Sequence, residues 1–226
     1  MIVVVGLAFE ARIAAGPGIR VICGGDGRDL VESLHRSIAL GRCGLVSFGV
    51  AGGLAAELRP GACVVASEIV DGEKRMATDR AWSQRLLRTH PDAVHGAMAG
   101  VSAAVAEPAA KRALHAATGA VAVDMESHLV ARAAAEHGLP MVAIRVVTDP
   151  AERALPPSAL AGVRADGTTD VAAVMRSILR RPQDILALMR VALDTRTARA
   201  ELLRGRKLLG SGLGVPDLRQ LELDVA

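Results

Sequence analysis

Aromatic residues are almost missing from this chain. It has no tyrosine, one tryptophan, Trp82, and two phenylalanines, Phe9 and Phe48. Proteins that bind single-stranded nucleic acid stack its bases on aromatic rings, and the basic residues of this chain are not accompanied by any. We therefore expect no nucleic-acid partner. Phe48 is expected to lie in the core.

Cysteine is scarce as well, and no sequence spacing suggests a metal site. Cys23, Cys43 and Cys63 fall in or beside predicted strands, and we expect them to be reduced structural thiols. The six histidines do not have the spacing of metal ligands either. His128 and His137 are expected on the surface of a helix. The sequence therefore predicts no metal.

Long apolar runs and targeting segments are also lacking. No run reaches the roughly 20 apolar residues that cross a bilayer. The opening stretch MIVVVGLAF has neither the basic leader nor the cleavage site of a signal peptide. We expect a cytoplasmic protein, at most peripheral to the inner face of the membrane. With 226 residues, 51% of them hydrophobic, the chain is long enough for a single domain, 1–226, with a continuous core.

The net charge of +3 is distributed unevenly. Between Met175 and Leu209, nine basic residues against three acidic ones give a charge of +6 and leave −3 for the remainder. This Arg-rich segment, about 171–209, is predicted to be helical. Its arginines form a solvated basic face, or else they attract anionic lipid headgroups.

Short apolar segments alternate with segments of helical character. The predicted strands are 2–5, 21–23, 45–48, 62–70, 97–101 and 141–147. The predicted helices are 28–40, 79–88, 108–117, 127–137 and two more from 171 onward. This alternation predicts an α/β fold, a three-layer α/β/α arrangement with a central mixed sheet. The stretch 152–169 has no clear period and is either a mobile flap or a plain surface loop.

Two acidic motifs carry most of the chemical information. VDMES spans Val123–Ser127 and RVVTD spans Arg145–Asp149, with one predicted helix and one predicted strand between them. We expect Glu126 and Asp149 on neighbouring loops at one edge of the sheet, with Glu126 held ionised by the amides of the helix that it begins. Arg145, inside a buried strand, needs an anionic partner, either Glu10 or a bound phosphate.

Three glycine-rich turns punctuate predicted strand ends: GLAFE at 6–10, CGGDG at 23–27 and FGVAGGL at 48–54. Glycine lets backbone amides approach an anion or a ribose closely. None of the turns matches the dinucleotide fingerprint or the P-loop, so NAD and ATP are not supported and no cofactor is expected.

In motif order, GLAFE, FGVAGGL, VDMES and RVVTD resemble the nucleoside phosphorylase and nucleosidase superfamily, and in particular 5′-methylthioadenosine/S-adenosylhomocysteine nucleosidases. The resemblance covers residues 1–149 and implies cleavage of an N-glycosidic bond. It places Glu10 at the nucleophilic water, Met125 and Glu126 at the ribose, and Asp149 at the purine as the acid that protonates it. It also implies a homo-oligomer, with a dimer favoured.

Two departures leave the nucleophile and the base pocket open. Val50 stands where these enzymes usually have a serine, close to Gly52 of the same turn. The missing hydroxyl belongs to the region of the water or phosphate, so both remain candidates for the nucleophile. If phosphate is the nucleophile, it is a co-substrate of the reaction. The stretch GVSAAVAEPAAK, 100–111, lacks the aromatic that stacks on the base, so adenine would be held by aliphatic side chains and backbone groups.

Beyond Asp149 the chain resembles hopanoid-associated phosphorylases, through its Arg-rich stretch RSILRRPQDILALMRVALDTRTARAELL at 176–203. This resemblance implies adenosylhopane as the substrate and an apolar, open pocket for the 5′ substituent. The alternative is a phosphorylase or nucleosidase of soluble purine nucleosides such as methylthioadenosine. Five apolar residues of the tail are predicted either to line the opening of the pocket for the 5′ substituent or to pack into the core. They are Ile185, Leu186, Leu188, Met189 and Leu193.

Overall fold

The computed structural model describes residues 1–24, 27–41, 44–162, 164, 167–168, 170–210 and 213–214. Cys43, the middle of the CGGDG turn and part of the stretch 152–169, predicted as a flap or a surface loop, lie outside the described residues. The strands are β1 (Ile2–Val5), β2 (Arg20–Cys23), β3 (Leu45–Gly53), β4 (Cys63–Asp71), β5 (Lys74–Ala77), β6 (Val94–Gly100), β7 (Ala122–Asp124) and β8 (Met141–Asp149).

The helices are α1 (Ala8–Ala14), α2 (Gly27–Ala39), α3 (Arg80–Thr89), α4 (Pro108–Thr118), α5 (Ser127–His137), α6 (Pro157–Leu160), α7 (Val171–Arg180) and α8 (Ile185–Leu208), with a 3₁₀ turn at Pro182–Asp184. All six predicted strands are present, although β3 extends five residues further than predicted. The predictions missed β5, β7, α1 and α6. These elements are short, and β5 is a polar strand at the end of the sheet, so none has a clear hydrophobic period.

The sheet is mixed, as predicted. β1 runs parallel to β2 and β3, and β8 runs parallel to β3 but antiparallel to β4. The pairings β3–β8, β8–β4, β4–β6, β6–β7 and β7–β3 form a closed ring of strands, with β2, β1 and β5 attached outside it. The ring gives β8 a paired neighbour on both sides, which is why its residues are almost all buried.

Helices cover both faces of the sheet and complete the three layers. Along β1, Ile2 and Val4 point to the side covered by α2 and α5, while Val3 and Val5 point to the side covered by α1, α3 and α8. This alternation follows from the two-residue period of a strand. Phe48 is 1% exposed, which confirms its predicted place in the core.

A β-bulge at Thr148 of β8 brings the two acidic motifs together. The register of β3 against β8 shifts between Ala51 and Gly52, and Gly52 then pairs with Asp149 on one side and with Val123 on the other. β7 runs antiparallel to β3, while β8 runs parallel to it. The motifs meet across a glycine of the FGVAGGL turn.

Candidate active site

Glu10 is buried in the first turn of α1 and is bonded by backbone amides. Its Oε2 accepts hydrogen bonds from Gly6 N at 3.0 Å and Leu7 N at 2.8 Å, and its Oε1 accepts one from Val50 N at 2.7 Å. A Cβ at Gly49, where φ is +149°, would lie 2.5 Å from Oε1, so this position excludes a side chain. Two glycine-rich turns, GLAFE and FGVAGGL, thus enclose one carboxyl group.

The environment of Glu10 suits a group that exchanges protons near neutral pH. Burial raises its pKa from 4.5 to about 7, although the positive charge of Arg145 and the amides of Val50 and Leu7 act in the opposite direction. A carboxyl group with such a pKa is available both as a base and as an acid at physiological pH.

Arg145 is the central cation of the site and is 1% exposed. Its Nη2 donates to Glu126 Oε2 at 3.0 Å and to Ser47 Oγ at 2.7 Å, and it forms an ion pair with Asp124. The prediction that Glu10 would be its partner is wrong for the direct contacts among the described residues, while a bound phosphate stays a prediction. Arg145 acts on Glu10 through its charge, while the VDMES motif supplies both of the carboxylates that it binds.

Asp124 was missed by the sequence analysis although it lies within VDMES. It is the last residue of β7, it is buried, and besides pairing with Arg145 it accepts hydrogen bonds from the backbone and hydroxyl of Ser127 at the start of α5. No hydrophobic period could have marked it, because β7 has only three residues and all of them are buried.

Glu126 stands immediately before α5 and makes no side-chain capping bond to it. The expectation that helix amides keep it ionised is therefore wrong. Burial raises the pKa of Glu126, and the main opposing influence is Arg145. Its carboxylate also borders the GLAFE turn, since a Cβ at Gly6 would lie 2.6 Å from Glu126 Oε1. Next to it, the side chain of Met125 is 43% exposed.

Asp149 ends β8 in a separate environment. Its Oδ1 accepts a hydrogen bond from Thr148 Oγ1 at 2.9 Å, and its Oδ2 accepts one from Lys111 Nζ at 2.7 Å. Burial raises the pKa of Asp149, and the positive charge of Lys111 opposes this increase. Gly52 leaves room for the carboxylate, because a Cβ there would lie 3.0 Å from Asp149 Oδ2.

Val50 contributes its backbone to the site. Its N–H donates to Glu10, and its carbonyl accepts a hydrogen bond from Arg145 Nη1 at 3.4 Å. Its side chain packs against the apolar cluster on the side of the sheet that α1, α3 and α8 cover.

Of the two histidines predicted on a helix surface, His128 is buried and His137 is exposed. His128 is 6% exposed instead of lying on a helix surface, because α5 packs so closely on β6 that a Cβ at Gly100 would lie 2.4 Å from the Cβ of His128. His137 is exposed, as predicted, but its Nε2 lies 2.9 Å from Nδ1 of His35 on α2, and Glu136 is close by. This cluster lies at the opposite end of α5 from Glu126.

The apolar residues at the start of α8 do not pack into the core. Ile185, Leu186, Met189 and Leu193 are 42%, 70%, 59% and 58% exposed, whereas α8 is anchored to the sheet further along by Ala198 and Leu202. The core-packing interpretation is therefore wrong for these four residues, while Leu188, the fifth residue of the predicted set, is partly buried. Within the described part of the chain, no helix is both long and apolar enough to span a membrane.

Comparison with known proteins identifies the family. A family model described as the phosphorylase superfamily matches residues 5–187. The chain therefore belongs to this superfamily, and the resemblance seen in its motifs is confirmed. A search of curated protein sequences gave no match.

Solved structures with the same fold include two nucleosidases and a hydrolase, all of low sequence identity to this chain. A 5′-methylthioadenosine/S-adenosylhomocysteine nucleosidase of Helicobacter pylori is 15% identical, with a TM-score of 0.65 over 93% of this chain and 95% of that one. The futalosine hydrolase of the same organism gives the same values. The nucleosidase of Neisseria meningitidis is 16% identical, with a TM-score of 0.65 over 93% of this chain and 98% of that one. These likenesses establish the fold.

Proposed function

We propose that the protein is a purine nucleosidase that cleaves the N-glycosidic bond of a 5′-substituted adenosine and releases adenine. The observation that carries this proposal is the pair of separate acid environments, with Glu10 and Glu126 around Arg145 and with Asp149 beside Lys111. Carboxyl groups in different environments take different protonation states, as a reaction that needs both an acid and a base requires.

In the proposed mechanism, Asp149 protonates the purine and so makes it a better leaving group. The sugar then carries oxocarbenium character. Glu126 accepts hydrogen bonds from the ribose hydroxyls, and its negative charge stabilises the developing positive charge. The half-exposed Met125 packs against the sugar, and the backbone at Gly52 and Val50 borders the substrate. Glu10 orients and deprotonates the attacking group.

Water is the nucleophile that the charges of the site favour. The amides of Gly6, Leu7 and Val50, which would otherwise bind an anion, already donate to Glu10. Arg145 is surrounded by three carboxyl groups, those of Glu10, Asp124 and Glu126. A phosphate dianion brought there would face like charges, which costs several kcal/mol. Phosphorolysis remains the alternative that the experiment below tests.

We propose adenosylhopane, a nucleoside with an apolar 5′ substituent, as the substrate. The resemblance of the tail to hopanoid-associated phosphorylases supports this choice, and so does the exposed apolar surface at the start of α8. Arginines accompany this surface, among them Arg181 and Arg190, which are also exposed. An apolar face flanked by arginines suits transient contact with an anionic membrane from the cytoplasmic side. We also propose a homodimer as the assembly.

The test is adenine release from adenosylhopane, methylthioadenosine and adenosine, each with and without phosphate. We expect release without phosphate, the highest kcat/KM on the 5′-substituted nucleosides, and loss of release in Asp149→Asn, whose amide cannot donate the proton. Equal release by Asp149→Asn would contradict the mechanism, and dependence on phosphate would favour the phosphorylase. Sedimentation of the protein with anionic and with neutral vesicles tests the membrane contact, which requires preference for the anionic ones.

A further inference from the structure

The most buried residue of α4 is a lysine. Lys111 is 0% exposed, and it is the one residue of this helix that is fully buried. Its Nζ lies 2.7 Å from Asp149 Oδ2, 3.0 Å from Pro150 O, 3.1 Å from Arg153 O and 3.4 Å from Asp149 O. The four acceptors belong to Asp149, the last residue of β8, and to Pro150 and Arg153 in the segment that follows it, so the ammonium group is held against one carboxylate and three carbonyls.

This arrangement is costly if it serves only packing. Removing an ammonium and a carboxylate from water costs several kcal/mol for each ion, and a well-packed apolar pair of similar volume is often as stable. A buried lysine beside the carboxyl group that we assign as the acid is therefore expected to have a role in the chemistry of that group.

We propose that Lys111 is the proton reservoir for Asp149, so that the two side chains share one proton and pass it to the purine. This inference rests on the proposed function, because it assumes that Asp149 is the acid in the cleavage of the glycosidic bond.

The proton balance follows from the 2.7 Å contact. Nζ of Lys111 gives a proton to Oδ2 of Asp149, which leaves a neutral amine and a neutral carboxylic acid. Rotation of the hydroxyl about the C–O bond turns this proton towards the substrate. The C1′–N9 bond then breaks, its electron pair moves into the purine, and a ring nitrogen of the purine takes the proton. After adenine leaves, solvent returns a proton to the amine.

Burial makes the first step inexpensive. The side chain of Lys111 is 0% exposed and that of Asp149 is 10% exposed, so both charges lose most of their solvation and the neutral form of the pair approaches the charged form in free energy.

The other charged side chains near Lys111 and Asp149 pair with other residues or face solvent. From the loop after β8, the side chain of Arg153 forms an ion pair with Asp194 of α8. Glu107, one turn before Lys111, is exposed at the start of α4. On the other side of Asp149, Thr148 offers a hydroxyl and Gly52 of β3 offers no side chain. Lys111 is thus the charged group that acts most strongly on Asp149.

The test compares the pH dependence of kcat/KM for adenine release in the wild type, Lys111→Met, Lys111→Gln and Lys111→Arg. We expect the wild type to stay active up to pH 8. Lys111→Met and Lys111→Gln should lose about 100-fold at pH 8, and much less at pH 5.5, where solvent protonates Asp149 directly. Lys111→Arg keeps the charge and the hydrogen bonds, but a guanidinium does not release a proton. We therefore expect it to be as impaired at pH 8 as the glutamine variant.

The matched control is Arg112→Met, which removes an exposed charge from the next position of α4 and should leave the profile unchanged. Equal losses at every pH in the methionine and glutamine variants would overturn the inference and leave Lys111 as a positioning residue. Full activity of Lys111→Arg would also overturn it. If Lys111→Met does not fold, the glutamine and arginine variants still decide the question.

A readout that does not need turnover is the affinity for adenine. The proton that Asp149 shares with bound adenine should come from the Lys111–Asp149 pair. Adenine affinity in Lys111→Gln should therefore fall more steeply between pH 6 and pH 8 than in the wild type. Failure of the wild-type protein to release adenine from any nucleoside would refute the proposed function itself. An active enzyme with parallel pH profiles in the variants would refute only the role of Lys111.

Discussion

Replacing Arg145 with methionine tests the electrostatic core of the site. The guanidinium is 1% exposed, and its side chain lies between Asp124, which is 1% exposed, and Glu126, which is 18% exposed. Methionine fills a similar volume but leaves both carboxylates without a counter-charge. Removing one partner of a buried ion pair typically costs about 3–5 kcal/mol. For a chain of this length, this corresponds to a decrease in Tm of roughly 6–20 °C.

The loss should also depend on pH with a definite sign. Burial already raises the pKa of Glu126, and removal of Arg145 takes away its main opposing influence. The folded variant therefore binds more protons than the unfolded chain. The contribution of Glu126 protonation to the stability of the variant is fully present below the pKa of glutamate in the unfolded chain, which is about 4.3. It is lost as the pH rises through the raised folded pKa. We expect a smaller difference from the wild type at pH 5 than at pH 7.5.

The assay is urea unfolding of the wild type and Arg145→Met at both pH values. The matched control is Arg132→Met, which removes an arginine whose side chain is 57% exposed and paired with Asp71. That pair should contribute less than about 1 kcal/mol. A loss below about 1 kcal/mol in Arg145→Met, or an equal loss at pH 5 and pH 7.5, would refute the reasoning.

Two further predictions concern the acids of the site. Since burial raises the pKa of Glu10 to about 7 and the base must be ionised, kcat/KM should rise with pH up to about 7 and then level off. Glu10→Gln should abolish this limb together with most of the activity, and a limb that persists in the variant would assign it to another group. Gly52→Ala places a Cβ 3.0 Å from Asp149 Oδ2, so adenine release should fall more than tenfold at a Tm within a few degrees of the wild type. Unchanged release would show that this carboxylate does not need its present position.

Much of the architecture could be predicted because it depends on local patterns. The runs MIVVV and MVAIRVV are continuous and apolar, and they form β1 and β8 near the predicted limits. Ser127–His137 was predicted to the residue, since Gly138 ends α5 in a left-handed conformation and Pro140 follows. The mixed sheet and the superfamily followed from the same patterns and from the order of the motifs.

The missed features depend on contacts between residues that are distant in the sequence. Lys111 lies in the helical segment PAAKRALHAAT, where nothing distinguishes it from a solvent-exposed lysine, and its partner Asp149 is 38 residues away. The pairing of Arg145 with Asp124 depends on β7, a strand of three residues. The contact of Gly52 with both motifs depends on a bulge, and a bulge leaves no hydrophobic pattern in the sequence from which it could be predicted.

The roles proposed for Glu10, Glu126 and Asp149 are most directly tested by the identity of the sugar product. The measurement is mass spectrometry of the products formed from a 5′-substituted adenosine in phosphate buffer. The carboxyl groups around Arg145 predict free adenine and a free 5′-substituted ribose, because water attacks where phosphate is repelled. A ribose 1-phosphate would contradict the role of these carboxylates, and the absence of adenine would contradict the proposed function.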